Sequence, residues 1–231
     1  MGKSGSIEFF VDPACPWTWV TARWLESVAP QRNLDIAWRP FSREVRDGEV
    51  RMSDGIPEHF RAIALARRAL ERTVLGLLEV IRREHGNVAV GLFYREFGFR
   101  LNDPVTAAGG PSANVVRDSL LASALDPALE GRAGDIELQD AVRQSTEAAM
   151  RVVGHDAMTP IVVIPGERPI GISGPIISMV PELASGLRLW DAVHEIIESP
   201  AFFELRRIRP PVPQFPARDN RPATAVIGGA S

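Results

Sequence analysis

The sequence predicts an α/β chain whose two α/β pieces are separated by a long helical block. A strand–helix–strand order occupies the first piece, and two short apolar runs and a helix make up the second. Between them, hydrophobic residues recur at spacings of three and four, which is typical of amphipathic helices. We therefore expect an α/β domain made of residues 1–55 and 155–209, a helical insertion of residues 56–154, and a flexible tail of residues 210–231.

The first piece contains a predicted βαβ unit. Residues 6–12 are rich in Ile, Phe and Val, which favours a buried strand. Residues 16–32 carry large apolar side chains three or four positions apart and predict a helix. Residues 34–41 alternate apolar and polar side chains and predict a second strand. Strands joined by such a crossover are parallel.

The insertion contains four predicted helices, which cover residues 57–85, 88–97, 112–124 and 138–153. Gly86, Gly98 and Gly154 stand at three of their ends, where glycine is favoured. Arginines follow one side of the first helix, and we expect that side to be a solvated face.

The second α/β piece contains a predicted hairpin and a final helix. Residues 160–164 and 169–172 are short apolar runs separated by a turn sequence, which predicts two antiparallel strands. Residues 181–198 have helical periodicity. The proline-rich stretch that follows cannot build a core.

Composition excludes several classes of function. The net charge of −3 argues against a nucleic-acid-binding protein. A single cysteine excludes an intramolecular disulfide and a cysteine-based zinc cluster, and the four histidines lack metal-binding spacing, so we expect no metal. We see no secretory signal and no apolar run that could span a bilayer. We therefore expect a cytoplasmic protein without a nucleic-acid or membrane partner.

Cys15, the only cysteine, stands in Cys15-Pro16-Trp17-Thr18, the frame of a Cys-X-X-Cys redox site with Thr18 at the second cysteine position. It precedes the first predicted helix, whose free N–H groups and macrodipole favour a thiolate. Pro16 suits the first helical turn. A lone cysteine is often an inert, buried, small hydrophobic residue, but this strand–cysteine–helix context favours a nucleophile.

Thr159-Pro160 opens the strand that follows the insertion, a position where proline is tolerated. One interpretation is an ordinary trans proline at the start of an edge strand. The other, which we adopt, is a cis bond that faces Cys15 and turns its backbone toward an extended thiol ligand.

The residues around Cys15 have alternative roles. Thr18 could donate its hydroxyl to the Cys15 thiolate, or bond back along its own helix. We expect Trp17 to form an exposed aromatic wall against an electrophilic ring. We expect Trp19 and Trp24 to lie in the core, because large apolar side chains usually do.

The predicted order, β-α-β, helical block, β-β-α, is that of a thioredoxin-like fold with an all-helical insertion. The strings at residues 10–13 and 15–19, the long helical insertion and Thr159-Pro160 resemble the DsbA-like branch of the thioredoxin superfamily. Within that branch the chain is most similar to the mycothiol-dependent nitroreductase type, whose active-site string residues 12–17 resemble and whose C-terminal third residues 174–181, 189–191 and 202–207 resemble.

This resemblance implies a cytoplasmic thiol-dependent oxidoreductase. Its partners would be a low-molecular-weight thiol, mycothiol or glutathione, and an electrophilic substrate such as a disulfide or a nitroaromatic compound. Cys15 and Thr18 would be catalytic, and Pro16, Trp17, Thr159 and Pro160 would bind substrate.

Thr18 departs from the family, which often has a second cysteine there. A monothiol must be resolved by a second thiol molecule, which argues against a protein-disulfide oxidase. Two alternatives stay open: a thiol-dependent isomerase or transferase of the kappa-transferase type, and a binding module that retains Cys15 as a relic. The oligomeric state also stays open, with a homodimer as one option.

Overall fold

The computed structural model describes residues 5–48, 58–102, 114–205, 207–208 and 210–216. Within them, four strands form one sheet in the order β2-β1-β3-β4. The strands are β1 (Gly5–Val11), β2 (Leu34–Pro40), β3 (Ile161–Ile164) and β4 (Ile170–Ser173). β1 is parallel to β2 and antiparallel to β3, and β3 is antiparallel to β4. The predicted βαβ unit and hairpin are both confirmed.

The described helices follow the predicted order with one addition. They are α1 (Pro16–Arg32), α2 (Arg43–Asp47), α3 (Glu58–Leu101), α4 (Val115–Ala122), α5 (Ile136–Val153) and α6 (Leu183–Glu198), and a 3₁₀ turn covers Pro127–Arg132. We did not predict α2. The first residues of the predicted helix at 112–124 lie outside the described residues.

Glycines shape α3 in two different ways. Gly86 breaks the helical path with φ 81° and ψ 174°, as predicted for a helix end. Gly98 does not end the helix, which continues to Leu101, so that prediction was wrong. A Cβ atom at Gly98 would lie 1.9 Å from Nε1 of Trp19. Glycine is needed there because α3 packs directly on the Trp19 ring of α1.

α1 is the most deeply packed helix beside the sheet, and it begins and ends at the predicted residues. Trp19 and Trp24 are buried, as predicted. Nε1 of Trp24 donates to the carbonyl of Gly186 in α6 at 3.1 Å. Arg32 at the other end of α1 makes two 2.6 Å contacts with the Asp191 carboxylate of α6. These contacts hold α1, and with it the position of Cys15, against the C-terminal helix.

One large hydrophobic core includes β1, α1, α6 and the insertion helices, and a smaller one lies between the sheet and α5. The insertion therefore shares its core with the α/β piece, and the domain boundaries stay a prediction. None of the described helices is both long and apolar enough to cross a bilayer.

The first part of the expected tail packs on the protein. The backbone N–H of Gln214 donates to the carbonyl of Ser178 at 2.6 Å, and the ring of Phe215 lies 6.1 Å from that of Trp19. Pro213, which precedes them, is buried. Residues 213–215 therefore pack on the folded protein, and residues 217–231 lie outside the described part of the chain.

Candidate active site around Cys15

Cys15 is the N-cap residue of α1, with an extended backbone (φ −94°, ψ 109°) and Pro16 in the first helical turn. Its carbonyl accepts from the N–H of Trp19 at 3.3 Å, as an N-cap carbonyl should. Its side chain makes no capping hydrogen bond and is half-buried. The thiol thus lies at the positive end of a buried helix, as predicted.

Asp12 shapes the loop that carries the thiol. Its side chain is fully buried, and Oδ1 accepts from the N–H of Ala14 at 2.9 Å. Its backbone carbonyl accepts from the N–H of Cys15 at 3.1 Å. Oδ2 lies 2.8 Å from Nε of Arg43, an ion pair in which the N–H is not aligned for a hydrogen bond. Burial raises the pKa of Asp12, and the Arg43 charge only partly offsets this.

α2 supplies the cation of the site. It begins directly after β2 because Ser42 caps it, with Oγ accepting from the N–H of Val45 at 3.3 Å. Arg43 is its first residue, so its guanidinium reaches Asp12 on one side. On the other side Nη2 of Arg43 donates to Oε2 of Glu71 at 3.2 Å.

Glu71 is a buried carboxyl group with incomplete hydrogen bonding. Its side chain is 7% exposed, and Oε1 has no hydrogen-bond partner among the described residues. Burial, followed by the nearby charge of Asp12, raises the pKa of Glu71 to about 7, although Arg43 acts in the opposite direction. Glu71 therefore changes its protonation state near neutral pH.

Arg43 interacts with three groups that can each carry a negative charge. Burial acts to lower its pKa, but the charges of Asp12, Glu71 and Cys15 outweigh that effect and raise it. The Cys15 sulfur is therefore within electrostatic reach of the guanidinium. A thiolate at Cys15 has Arg43 as a counter-charge, but shares it with two carboxyl groups.

Tyr94 of α3 adds an uncommitted hydroxyl group. It is 1% exposed, and its OH has no hydrogen-bond partner among the described residues. Burial, then the charges of Cys15 and Asp12, raise the pKa of Tyr94 well above 10.0. Tyr94 therefore stays protonated and keeps a donor within electrostatic reach of Cys15.

Thr18 is fully buried, and its Oγ1 has no hydrogen-bond partner among the described residues. Neither of the two contacts that we considered, with the Cys15 sulfur or with its own helix backbone, is present in this structure. Buried hydroxyl groups are normally hydrogen-bonded. The role of Thr18 in catalysis stays a prediction.

Trp17 differs from our expectation. Its side chain is 9% exposed, so it does not form an exposed aromatic wall. The reason is that α1 is buried around most of its circumference, from Trp17 through Leu25. Its assignment to substrate binding, like that of Pro16, stays a prediction.

The Thr159-Pro160 bond is cis, as predicted. Phe10 pairs with Ile161 in the antiparallel β1–β3 register. Continuing that register brings Thr159-Pro160 beside the end of β1, from which the Cys15 loop departs. Nη1 of Arg46 in α2 donates to the carbonyl of Ala157 at 2.9 Å, which fixes the preceding loop. That Pro160 faces the sulfur stays a prediction.

The sequence reasoning missed Arg43, Glu71 and Tyr94. Two of these had a usable signal: Glu71 shares a helical stripe with Val74, and Tyr94 lies in the stripe of Phe97, both of which are buried. We expected the arginine-rich side of this helix to be solvated, and Glu71 lies among those arginines in the sequence.

Comparisons with known proteins identify the family of this chain. A family model described as "Rv2466c-like: Mycothiol-dependent nitroreductase Rv2466c" matches residues 14–207. The uncharacterized protein Rv2286c of Mycobacterium tuberculosis is 24% identical over 213 residues, which cover 89% of this chain and 83% of that protein.

Two solved structures show the same fold. The first is α-DsbA1 of Wolbachia pipientis, with a TM-score of 0.50 at 12% identity over 84% of this chain and 89% of that one. The second is a 2-hydroxychromene-2-carboxylate isomerase, with a TM-score of 0.51 at 11% identity over 83% and 95% of the two chains. The fold is therefore the DsbA-like thioredoxin fold that the sequence predicted.

Proposed function

Since the chain belongs to the Rv2466c-like family, whose description is mycothiol-dependent nitroreductase, we propose that it is a thiol-dependent oxidoreductase with Cys15 as its nucleophile. The observation that supports this most directly is the position of the thiol. Cys15 is half-buried at the N-terminus of α1, and its charge interacts with Arg43 and Tyr94. Positive charge and a helix N-terminus are the surroundings that activate a cysteine.

In the proposed reaction, the Cys15 thiolate attacks one sulfur of a substrate disulfide. A bond forms between Sγ and that sulfur, the substrate S–S bond breaks, and the departing thiolate takes a proton from solvent. Since the chain holds no second cysteine, a first small thiol attacks Sγ of the mixed disulfide, releases the second half of the substrate as a thiol and forms a new mixed disulfide with Cys15. A second small thiol then attacks the small thiol's own sulfur in that bond, which forms the small-molecule disulfide and returns Sγ as a thiolate. Over one cycle, two small thiols are oxidised to one disulfide and the substrate gains two electrons and two protons.

The same two-electron stoichiometry would let the small thiol reduce electrophilic compounds such as nitroaromatics, the substrate class in the family description. Mycothiol is the proposed small thiol for the same reason, with glutathione as the comparison compound.

The site has groups suited to hold such a thiol. Tyr94 OH and Thr18 Oγ1 are buried hydroxyl groups without partners among the described residues. Both lie below the surface, so in this proposal a bound thiol gives them acceptors when neighbouring side chains move aside. The backbone at Thr159-Pro160 borders the same end of the sheet. In this proposal Thr159 and Pro160 position the thiol, while Pro16 and Trp17 shape the other side.

Intact-mass spectrometry after incubation with oxidised mycothiol tests the proposal. The wild-type protein should gain the mass of one thiol, and Cys15→Ser should gain none while keeping the wild-type circular dichroism spectrum. Thiol-dependent reduction of a disulfide or nitroaromatic substrate should fall to background in the same variant.

Other outcomes would overturn the proposal. Substrate turnover that needs the thiol but never oxidises it would identify an isomerase or transferase. Neither adduct formation nor turnover with mycothiol or glutathione would identify a non-catalytic binding module.

A further inference from the structure

Three groups that can each carry a negative charge surround one arginine at the Cys15 site. Asp12 Oδ2 lies 2.8 Å from Nε of Arg43, Glu71 Oε2 accepts from its Nη2 at 3.2 Å, and the Cys15 charge interacts with it. Arg46 also acts on Asp12, but both of its guanidinium edges are engaged, with Asp47 and with the loop carbonyl of Ala157. Buried charges without a close counter-charge are costly, so the three groups are not all ionised together.

Burial raises the pKa of both Asp12 and Glu71, but the two carboxyl groups differ in the partners that stabilise their charged forms. Asp12 has stabilising partners for its charged form: the N–H of Ala14 at 2.9 Å, the Arg43 guanidinium, and the more distant Arg46 charge. The charged form of Glu71 is stabilised by Arg43 alone, through its guanidinium at Oε2 and its backbone N–H, and Oε1 of Glu71 is buried without a partner among the described residues. If Glu71 is protonated, the site loses a negative charge that only Arg43 stabilises. If Asp12 is protonated instead, its ion pair with Arg43 is weakened. The proton is therefore better placed on Glu71.

We propose that Glu71 is a positioning residue for the chemistry of Cys15. Glu71 carries a proton while Cys15 is a thiolate. The positive charge of Arg43 then stabilises only the negative charges of Asp12 and the sulfur. When Cys15 enters a covalent bond and loses its charge, Glu71 ionises against Arg43 and its proton passes to solvent. When the thiolate returns, Glu71 takes a proton up again. The rise in the pKa of Glu71 to about 7 supports this assignment.

The other charged groups near Glu71 belong to known pairs or to its own helix. Glu44 of α2 pairs with Arg72 at 2.7 Å, on the exposed side of the cluster. Arg68 and Arg72 neighbour Glu71 on α3. None of these groups changes charge when Cys15 reacts, so they shift the protonation of Glu71 equally in both states of the thiol.

The inference rests on the proposed function only in treating Cys15 as a reactive thiol. Its first test needs no substrate. The infrared band of a protonated carboxyl group is followed from pH 5 to 9 in the wild-type protein, in the protein alkylated on Cys15 with iodoacetamide, and in Glu71→Gln.

In the wild-type protein we expect an infrared band of the protonated Glu71 carboxyl group that disappears near pH 7. The same band should be absent from Glu71→Gln. With Cys15 blocked as a neutral thioether, the band should disappear at a pH lower by about 0.5 to 1 unit, as expected for charges several ångströms apart in a medium of effective dielectric constant near 20. An identical titration with Cys15 free and blocked overturns the proposal, and so does the absence of a band at pH 6.

Coupling between two sites is reciprocal. Glu71→Gln should therefore raise the rate of Cys15 alkylation by up to about three- to tenfold at those pH values above 7 where the wild-type rate still rises with pH, because the rate follows the thiolate fraction. At pH 5.5, where Glu71 is already protonated, the rate should change little. Glu79→Gln is the matched control, because Glu79 is also buried on α3 and pairs with an arginine, Arg82, at 2.7 Å. Equal rates in the variant and the wild type above pH 7, over the range where the wild-type rate still rises with pH, overturn the proposal.

Failure of this test differs from failure of the proposed function. An uncoupled Glu71 would leave the mixed disulfide on Cys15 and the thiol-dependent turnover intact. A protein without thiol chemistry could still show the coupling, because alkylation and infrared titration need no turnover.

Discussion

Replacing Glu71 by glutamine should change how the stability of this protein depends on pH. Burial raises the pKa of Glu71 from 4.5 to about 7. Between these two pH values the folded state binds more protons than the unfolded chain, so the free energy of unfolding falls as the pH rises. The loss is complete above about pH 7. A shift of this size corresponds to about 3 kcal/mol.

Glutamine keeps an oxygen that can accept from Arg43 and has no proton to lose. The free energy of unfolding of Glu71→Gln, relative to the wild type, should therefore increase by about 3 kcal/mol between pH 4.5 and 7.5. Urea unfolding at several pH values, followed by tryptophan fluorescence, measures this difference. The exposed pair Glu44–Arg72 offers the control, since Glu44→Gln should change stability by no more than about 1 kcal/mol at any pH. A Glu71→Gln difference that stays constant with pH would refute the reasoning.

Three further variants test other parts of the structure. Gly98→Ala places a Cβ 1.9 Å from a buried tryptophan nitrogen and should destabilise the protein by about 1–3 kcal/mol in urea unfolding, whereas Gly131→Ala, where no atom lies within 4 Å, should be nearly neutral. Tyr94→Phe removes a buried hydroxyl without a partner among the described residues, so it should raise stability by about 1 kcal/mol and lower thiol-dependent turnover if that hydroxyl binds the thiol. Thr18→Cys, one helical turn from Cys15, should form an internal disulfide under mild oxidation and reduce the requirement for excess small thiol, as thiol titration and mass spectrometry would show.

The local pattern of the sequence predicted most of the fold. The bounds of α1 matched because a capping position, a proline in the first turn and a run of large apolar residues all indicate the same helix. The Gly98 error has the opposite cause. A glycine near the end of an apolar stripe resembles a helix stop, and only the packing of α3 on Trp19 shows that it permits a close approach. Sequence periodicity does not contain the distance between two helices.

Apart from Thr159-Pro160, the residues that we predicted for the candidate site are close together in sequence. The string from Asp12 to Thr18 contains the thiol, the loop and the helix start, and all of them appear where expected. Arg43 and Glu71 are 28 and 56 positions from Cys15 and reach it only because β2 lies parallel to β1 and α3 passes α2. No spacing rule joins these positions, so a single sequence could not bring them together.

The short helix α2 is the element on which the site geometry depends most. Its first residue, Arg43, contacts the loop that holds Cys15, and one turn later Arg46 contacts the loop that precedes Thr159-Pro160. A helix of five residues has little stability of its own. The contacts of Arg43 and Arg46 and the Ser42 cap therefore stabilise α2, and α2 in turn positions these two arginines. The counter-charge of the thiol and the position of the neighbouring loop are therefore linked. A change that removes the Arg43 charge would alter both the electrostatics of Cys15 and the surface beside it. A neutral substitution of Glu71 leaves Arg43 and α2 in place, so it changes the electrostatics of Cys15 without moving the neighbouring loop.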